Sequence, residues 1–203
     1  MKFFYGLILT LLLAVPAQAA ECTYDQSNSQ LDFISEHLGL VTMKGRFEKF
    51  TGSFSYDHTW PEKTRVELRI ETGSVTSENP RQTRDLKSDD FFWPEKYPQI
   101  TFHSREIQNM DGATRFDIVG DLTIRAITKE VIFKTQLLSE INASGQPEGK
   151  LLFRTEAKIK REDFDLGKKN WMNPILKAAG ENVWIRLHVE GDPVNPGPVH
   201  AES

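Results

Sequence analysis

Apolar and polar residues alternate along most of this chain. Every second residue is apolar in residues 66–70 and in residues 116–124, for example. Successive side chains of a β-strand point to opposite faces, so this alternation predicts strands with one dry face. About eight such segments occur, separated by turn-like stretches such as 109–112 and 142–145. The predicted strands are residues 31–35, 45–56, 66–70, 100–107, 116–124, 131–138, 151–159 and 183–189.

Only one long segment departs from this alternation in favour of a helix. It runs from residue 77 or 78 to residue 89, with Pro80 where a first helical turn tolerates proline. Residues 170–179 predict a shorter helical turn. A change of phase at Glu48-Lys49 indicates a bulge within the second predicted strand. About eight strands in one domain must close on themselves or pack as two sheets, so the expected fold is all-β and antiparallel, with one short helix.

The N-terminus has the pattern of a secretory signal. Lys2 precedes an apolar run over residues 3–15, and Ala17-Gln18-Ala19 offers small residues for cleavage. The run is too short for a membrane span. We therefore predict a signal peptide over 1–19, a barrel domain over 20–192, a flexible Pro-rich tail over 193–203, and a location in the periplasm or outside the cell. Glu21 fits poorly beside a lipidated cysteine, so Cys22, the sole cysteine, is expected to be a free thiol.

Charge and motifs exclude several function classes. The formal net charge is −4 and basic residues are scattered among acidic ones, which argues against nucleic acid or an anionic membrane surface as partner. No glycine-rich phosphate loop and no metal-binding histidine pattern is present, so no cofactor and no metal is predicted. His103 and His188 alternate with apolar neighbours and are expected on a solvated strand face. A catalytic alternative remains, a lipid hydrolase or isomerase that uses His37 or His103 with a nearby carboxylate.

Several segments, in order, resemble the YceI-like family. The resemblance runs from about Thr23 to Gly191. The segments are Leu31-Asp32-Phe33, His37-Leu38-Gly39, Gly45 to Gly52 with Phe47 and Phe50, Leu86-Lys87-Ser88-Asp89-Asp90-Phe91-Phe92, Tyr97-Pro98-Gln99-Ile100-Thr101-Phe102, Gly120-Asp121-Leu122-Thr123-Ile124 with Thr128-Lys129, and Arg161-Glu162-Asp163-Phe164.

The resemblance implies an extended, lipocalin-like antiparallel barrel of about eight strands that holds a long apolar chain, such as a polyisoprenoid or fatty-chain lipid. The family is mostly secreted or periplasmic, and no general catalytic activity is attached to it. Aromatic side chains on the strands would line the cavity, and Arg84 or Lys87 near its mouth would orient a head group. The aromatics expected there are Phe33, Phe47, Phe54, Phe102, Phe133, Phe153 and Phe164.

Other outcomes stay open at this point. The same phenylalanines could simply fill the core, leaving a barrel that serves only as a protein partner. Edge strands could support a homodimer. The chain also departs from the family pattern: Ala126 and Asp165 stand where relatives often have glycine, and Gln82-Thr83 stand where many carry Arg-Asp. These changes are expected to alter local turns and head-group contacts more than the fold.

Overall fold

The structure, a computed structural model, describes residues 20–24, 28–37, 40–56, 60–112, 114–140, 142, 148–168 and 181–193. Within these residues, eleven strands and one α-helix form the molecule. The strands are β1 Ala20–Tyr24, β2 Gln30–His37, β3 Leu40–Phe47, β4 Phe50–Tyr56, β5 Arg65–Glu71, β6 Val75–Ser77, β7 Gln99–Asp111, β8 Arg115–Ile124, β9 Ile127–Leu137, β10 Leu151–Lys160 and β11 Asn182–Pro193, and helix α1 is Pro80–Lys87.

All strand pairs are antiparallel and belong to one sheet, in the order β1-β4-β5-β7-β8-β9-β10-β11-β2-β3-β6. An additional pairing joins β1 to β11, and it closes eight of the strands into a ring. Strand β11 reaches both partners because its first part pairs with β2 and its end, residues 191–193, pairs with β1. The predicted all-β antiparallel barrel with one short helix is therefore confirmed.

The count of eleven strands differs from the predicted eight because the chain changes partners along its length. The predicted bulge at Glu48-Lys49 divides one segment into β3, which pairs with β2 and β6, and β4, which pairs with β1 and β5. A 3-10 turn at Thr72–Ser74 likewise separates β5 from β6. Hydrogen bonds join the two interruptions, from Glu71 N–H to the Lys49 carbonyl (3.0 Å) and from Glu48 N–H to the Ser74 carbonyl (3.2 Å).

Helix α1 covers the side where the sheet does not close. Among the described pairings, β6 bonds to β3 and β7 bonds to β5 and β8, so β6 and β7 are not paired with each other. The helix begins where the Asn79 side chain accepts from Arg81 N–H (2.9 Å), and Pro80 occupies the first turn. It ends before Ser88, close to the predicted end at residue 89, because the Ser88 hydroxyl and N–H both donate to the Asp85 carbonyl (2.7 and 3.1 Å). Leu86 points inward and is 2% exposed.

Three predictions concern parts of the chain outside the described residues. They are the signal peptide over 1–19, the helical turn over 170–179 and the tail over 193–203, of which only Pro193 is described, as the last residue of β11. Cys22 lies in β1, and its backbone pairs with Phe54 of β4 and Pro193 of β11. In the described part of the chain, no helix is long and apolar enough to cross a membrane.

Candidate ligand-binding cavity

Inward-facing aromatic side chains form three groups inside the barrel. Near α1, the rings of Phe33, Phe47 and Phe92 contact one another, with centroids 5.2–6.1 Å apart. Phe102 of β7 and Phe133 of β9, the two strands that flank β8, pair edge to face with ring centroids 4.9 Å apart. The third group consists of Phe54, Tyr56, Phe116 and Phe153, with centroids 5.2–6.5 Å apart. Strand alternation thus places most of the predicted aromatics in the interior.

Two glycines leave the room that these rings occupy. A Cβ atom on Gly45 would lie 2.2 Å from Cζ of Phe33, and one on Gly120 would lie 2.6 Å from Cζ of Phe102. Such contacts are far shorter than van der Waals separation, so a side chain at residue 45 would displace the Phe33 ring, and one at residue 120 would clash with both the Phe102 ring and the His103 carbonyl oxygen (2.4 Å). The phenylalanine positions in the barrel are therefore fixed partly by glycines on neighbouring strands.

Between the aromatic groups the barrel contains two cavities. The first, here the helix-side cavity, lies under α1 and is lined by residues such as Leu86, Phe91 and Phe92. The second, here the ring-side cavity, lies beside β4 and includes Phe50 and Phe54 in its lining. Each offers about 70 Å³ to the centres of water-sized molecules, and the surface of each is apolar.

The structure places the nine predicted binding residues in different surroundings. Four of them, Phe33, Phe47, Phe102 and Phe133, line the helix-side cavity, and Phe54 and Phe153 line the ring-side cavity. Phe164 is 1% exposed and lines neither of these two cavities. Arg84 and Lys87 flank Leu86 on α1 and also line neither. The barrel therefore brings six of the predicted residues to the two cavities.

Arg161 is a cavity residue that sequence reasoning missed. It lines the helix-side cavity, together with the polar residues Asp32 and Ser35. Its Nη1 donates to the Leu166 carbonyl (2.8 Å), whereas its buried Nε has no acceptor among the described atoms. Buried polar groups in proteins nearly always have a partner, so this N–H stands out among the cavity residues. The family-like segment 161–164 was a signal that this position has a role.

Asp32 has a different partner, on the outer side of β2. Its carboxylate accepts from Nε of Arg46 on β3 at 2.6 Å. This hydrogen bond raises the pKa of the Arg46 guanidinium above its usual value. The described partner of Asp32 is therefore Arg46 rather than Arg161.

Arg125 fastens the cover of the helix-side cavity. It lies in the turn between β8 and β9, and its guanidinium donates to the carbonyls of Asp89 (3.1 Å), Asp90 (3.1 Å) and Asp165 (2.8 Å). Gly167 N–H also donates to the Asp90 carbonyl, at 2.7 Å. These bonds hold the segment that contains Phe91 and Phe92 against the end of the barrel. We call this set of bonds the Arg125 clasp.

Among the described histidine side chains, His103, one of the two offered for catalysis, lies outside both cavities. His103 and His188 are exposed, as predicted, and His103 Nδ1 lies 3.9 Å from the Glu67 carboxylate on the outer face of the sheet. Its neighbour Phe102 points inward instead. The His37 side chain lies outside the part that the structure describes. Within that part, no cluster of three or more His, Cys, Asp or Glu residues could hold a metal ion.

Known proteins resemble this chain over most of its length. The sequence profile of the YceI-like domain matches residues 23–191. Protein YceI of Escherichia coli O157:H7 is 33% identical over 196 residues, which cover 94% of this chain and 97% of the relative.

Solved structures share the fold at lower identity. BcnA of Burkholderia cenocepacia is 22% identical and aligns with a TM-score of 0.71 over 82% of this chain and 98% of BcnA. A domain from Saccharophagus degradans that is named as polyisoprenoid-binding is 13% identical and aligns with a TM-score of 0.60, over 87% of this chain and 99% of that domain. The barrel, its helix and the profile match agree, and the chain belongs to the YceI-like family.

Proposed function

We propose that this protein binds a long apolar chain, such as a polyisoprenoid or fatty-chain lipid, inside the barrel. The observation that carries the proposal is the pair of apolar cavities between the aromatic groups. Protein interiors are normally packed to nearly crystalline density. Two such cavities in one barrel are therefore not expected if its core is completely filled. The surface exposed within both cavities is apolar, and apolar cavities stay dry and accept apolar molecules.

The lining of the ring-side cavity supports an apolar rather than a polar ligand. Thr135 and Thr155 contribute to it, but their hydroxyls bond to each other at 2.9 Å. That bond satisfies both hydroxyls without a ligand, so neither threonine needs a polar partner from a bound molecule. A hydrocarbon chain gains free energy there by leaving water, whereas a polar molecule would lose hydrogen bonds.

Arg161 is the group we propose for the polar end of the ligand. Its unpartnered Nε lies at the wall of the helix-side cavity, where it could donate to a carboxylate, phosphate or carbonyl oxygen. Arg84 and Lys87 remain proposals for a second contact, because they flank Leu86, whose side chain reaches that cavity. A head group held here would leave the chain directed along the barrel.

The signal-like pattern of residues 1–19 supports a role outside the cytoplasm. We propose that residues 1–19 are removed and that the barrel works in the periplasm or is secreted, where it transports, stores or protects its lipid. A domain of the same fold carries the name polyisoprenoid-binding, which is consistent with an apolar chain as ligand. No catalysis is needed for this role.

The test is to purify the protein without detergent and examine it by native mass spectrometry, followed by solvent extraction. We expect one intact lipid per barrel, or uptake of one chain by the delipidated protein. Cleaved or isomerised lipid that accumulates with time would support the enzyme alternative instead. Neither a bound lipid nor uptake of any chain would show a filled barrel and overturn the proposal.

A further inference from the structure

A pair of leucines separates the two cavities. Leu68 of β5 and Leu187 of β11 are the residues that occur in the linings of both. Along β5, Val66 lines the ring-side cavity and Ile70 the helix-side cavity, with Leu68 between them. Since side chains two residues apart on a strand share a face, these three form one row inside the barrel.

The other walls show the same division at the same level. On β11, Val189 lines the ring-side cavity and Ile185 the helix-side cavity, on either side of Leu187. On β8, Gly120 lies between Ile118 and Leu122, which line opposite cavities in the same way. On β10, Ala157 lies between Thr155 and Ile159. The constriction thus combines two leucines with two of the smallest residues.

We propose that Leu68 and Leu187 form a waist that determines how far an apolar chain enters the barrel, and so select ligands by chain length. The inference rests on the proposed function. A water-sized group needs roughly 10–15 Å³ on this measure of volume, so a cavity of about 70 Å³ holds only about five such groups. Any longer chain that starts in one cavity must pass between the two leucines to reach the other.

The waist can open without breaking the sheet. Neither leucine has a polar group that would anchor it, and a change of side-chain rotamer is enough to move its methyl groups. Gly120 and Ala157 add little bulk on their walls, although the ring of Phe102 lies over Gly120. The size of the side chain at residue 68 therefore sets the width of the passage.

The experiment measures the affinities of straight-chain carboxylic acids of increasing length for the delipidated protein, by displacement of a fluorescent fatty-acid probe. In the wild type, each added methylene should raise affinity roughly fourfold while the chain fills apolar space, with a smaller gain beyond a break where its tip meets the waist. Leu68→Ala should move the break to longer chains by at least two methylenes. Leu68→Phe should weaken chains longer than the break at least tenfold and leave shorter ones within threefold.

Leu137→Ala is the matched control, because Leu137 is a buried leucine that lines neither cavity. It should lose stability as a core leucine does but keep the wild-type break. If Leu68→Ala does not fold, Leu187→Val and Leu68→Val test the same passage with smaller losses of packing. An unchanged break in every folded variant would overturn the waist, whereas failure of the wild type to bind chains of any length would instead overturn the proposed function.

Discussion

At the scale of single residues, the chain uses left-handed backbone in two turns where the family resemblance predicts glycine. Arg125 and Ala126 have φ values of 53° and 64° in the turn between β8 and β9, and Asp165 has 56° after the 3-10 turn. This conformation is costly for residues with a Cβ atom, although aspartate tolerates it better than most. The sequence showed that these two turns depart from the family pattern. It could not show that their backbone is left-handed, because that depends on contacts such as the Arg125 clasp.

The cavity residues show a similar division between what sequence can and cannot predict. Alternation and the family resemblance correctly identified six phenylalanines that line the cavities, since a period of two determines which residues of a strand share a face. It did not distinguish Phe164, which is buried outside both. Arg161 was missed because its role depends on an N–H group without a partner, and hydrogen bonds between distant segments are not visible in a single sequence.

The first prediction in solution concerns Arg161. Arg161→Gln should weaken binding of a long-chain carboxylate about tenfold or more, because a hydrogen bond to a charged group contributes roughly 1.5–3 kcal/mol. The alcohol of the same chain length should change less than threefold. The measurement is the ratio of the two affinities, on variants whose melting curves show a folded barrel. Arg84→Gln and Lys87→Gln are the comparison variants: if they, and not Arg161→Gln, remove the preference for the carboxylate, the head group lies beside α1 instead.

At the scale of elements, local signals predicted most of the strands and the helix. Pro80 marks the first turn of α1 in the sequence as it does in the structure, although the predicted helix, from residue 77 or 78 to residue 89, is longer than the observed Pro80–Lys87. The exceptions are β1 and β6, which are five and three residues long and show too little alternation to be recognised. They form because β11 and β3 offer free edges to them, and this is a tertiary cause. The number of predicted strands was therefore enough to expect a closed barrel. The sequence did not identify β1, the strand that closes it by pairing with β4 and β11.

The second prediction concerns the Arg125 clasp, which joins the β8–β9 turn to the segment after α1. Arg125→Lys keeps the charge but cannot bond to three carbonyls in a planar arrangement, so it should lower the free energy of unfolding by about 2 kcal/mol. Amide exchange at Gly167, which donates to the Asp90 carbonyl, should accelerate. Arg69→Lys on the exposed face of β5 is the control and should change stability by less than about 0.5 kcal/mol. Equal losses in the two variants, measured by urea unfolding, would contradict the clasp.

At the scale of the whole molecule, the internal cavities leave room for a ligand and at the same time lower the stability of the ligand-free barrel. Space that lacks packed atoms forfeits dispersion contacts, so the ligand-free protein is less stable than a filled barrel of the same size. A chain that occupies the cavities restores those contacts in the folded state alone. Binding and folding are then linked, and ligand occupancy should be visible in the stability of the entire domain.

The last prediction is that an apolar chain raises the melting temperature of the delipidated protein. At a free ligand concentration of about one hundred times its dissociation constant, the stabilisation should be about 2.7 kcal/mol, or roughly 5–10 °C for a domain of this length. The shift should grow with the logarithm of ligand concentration, since only the folded barrel binds. Differential scanning calorimetry with a fatty acid and with acetate at equal concentration separates cavity binding from an effect of the carboxylate alone. Equal shifts with the two acids would mean that the chain does not enter the barrel, because acetate has no apolar tail to place between the aromatic groups.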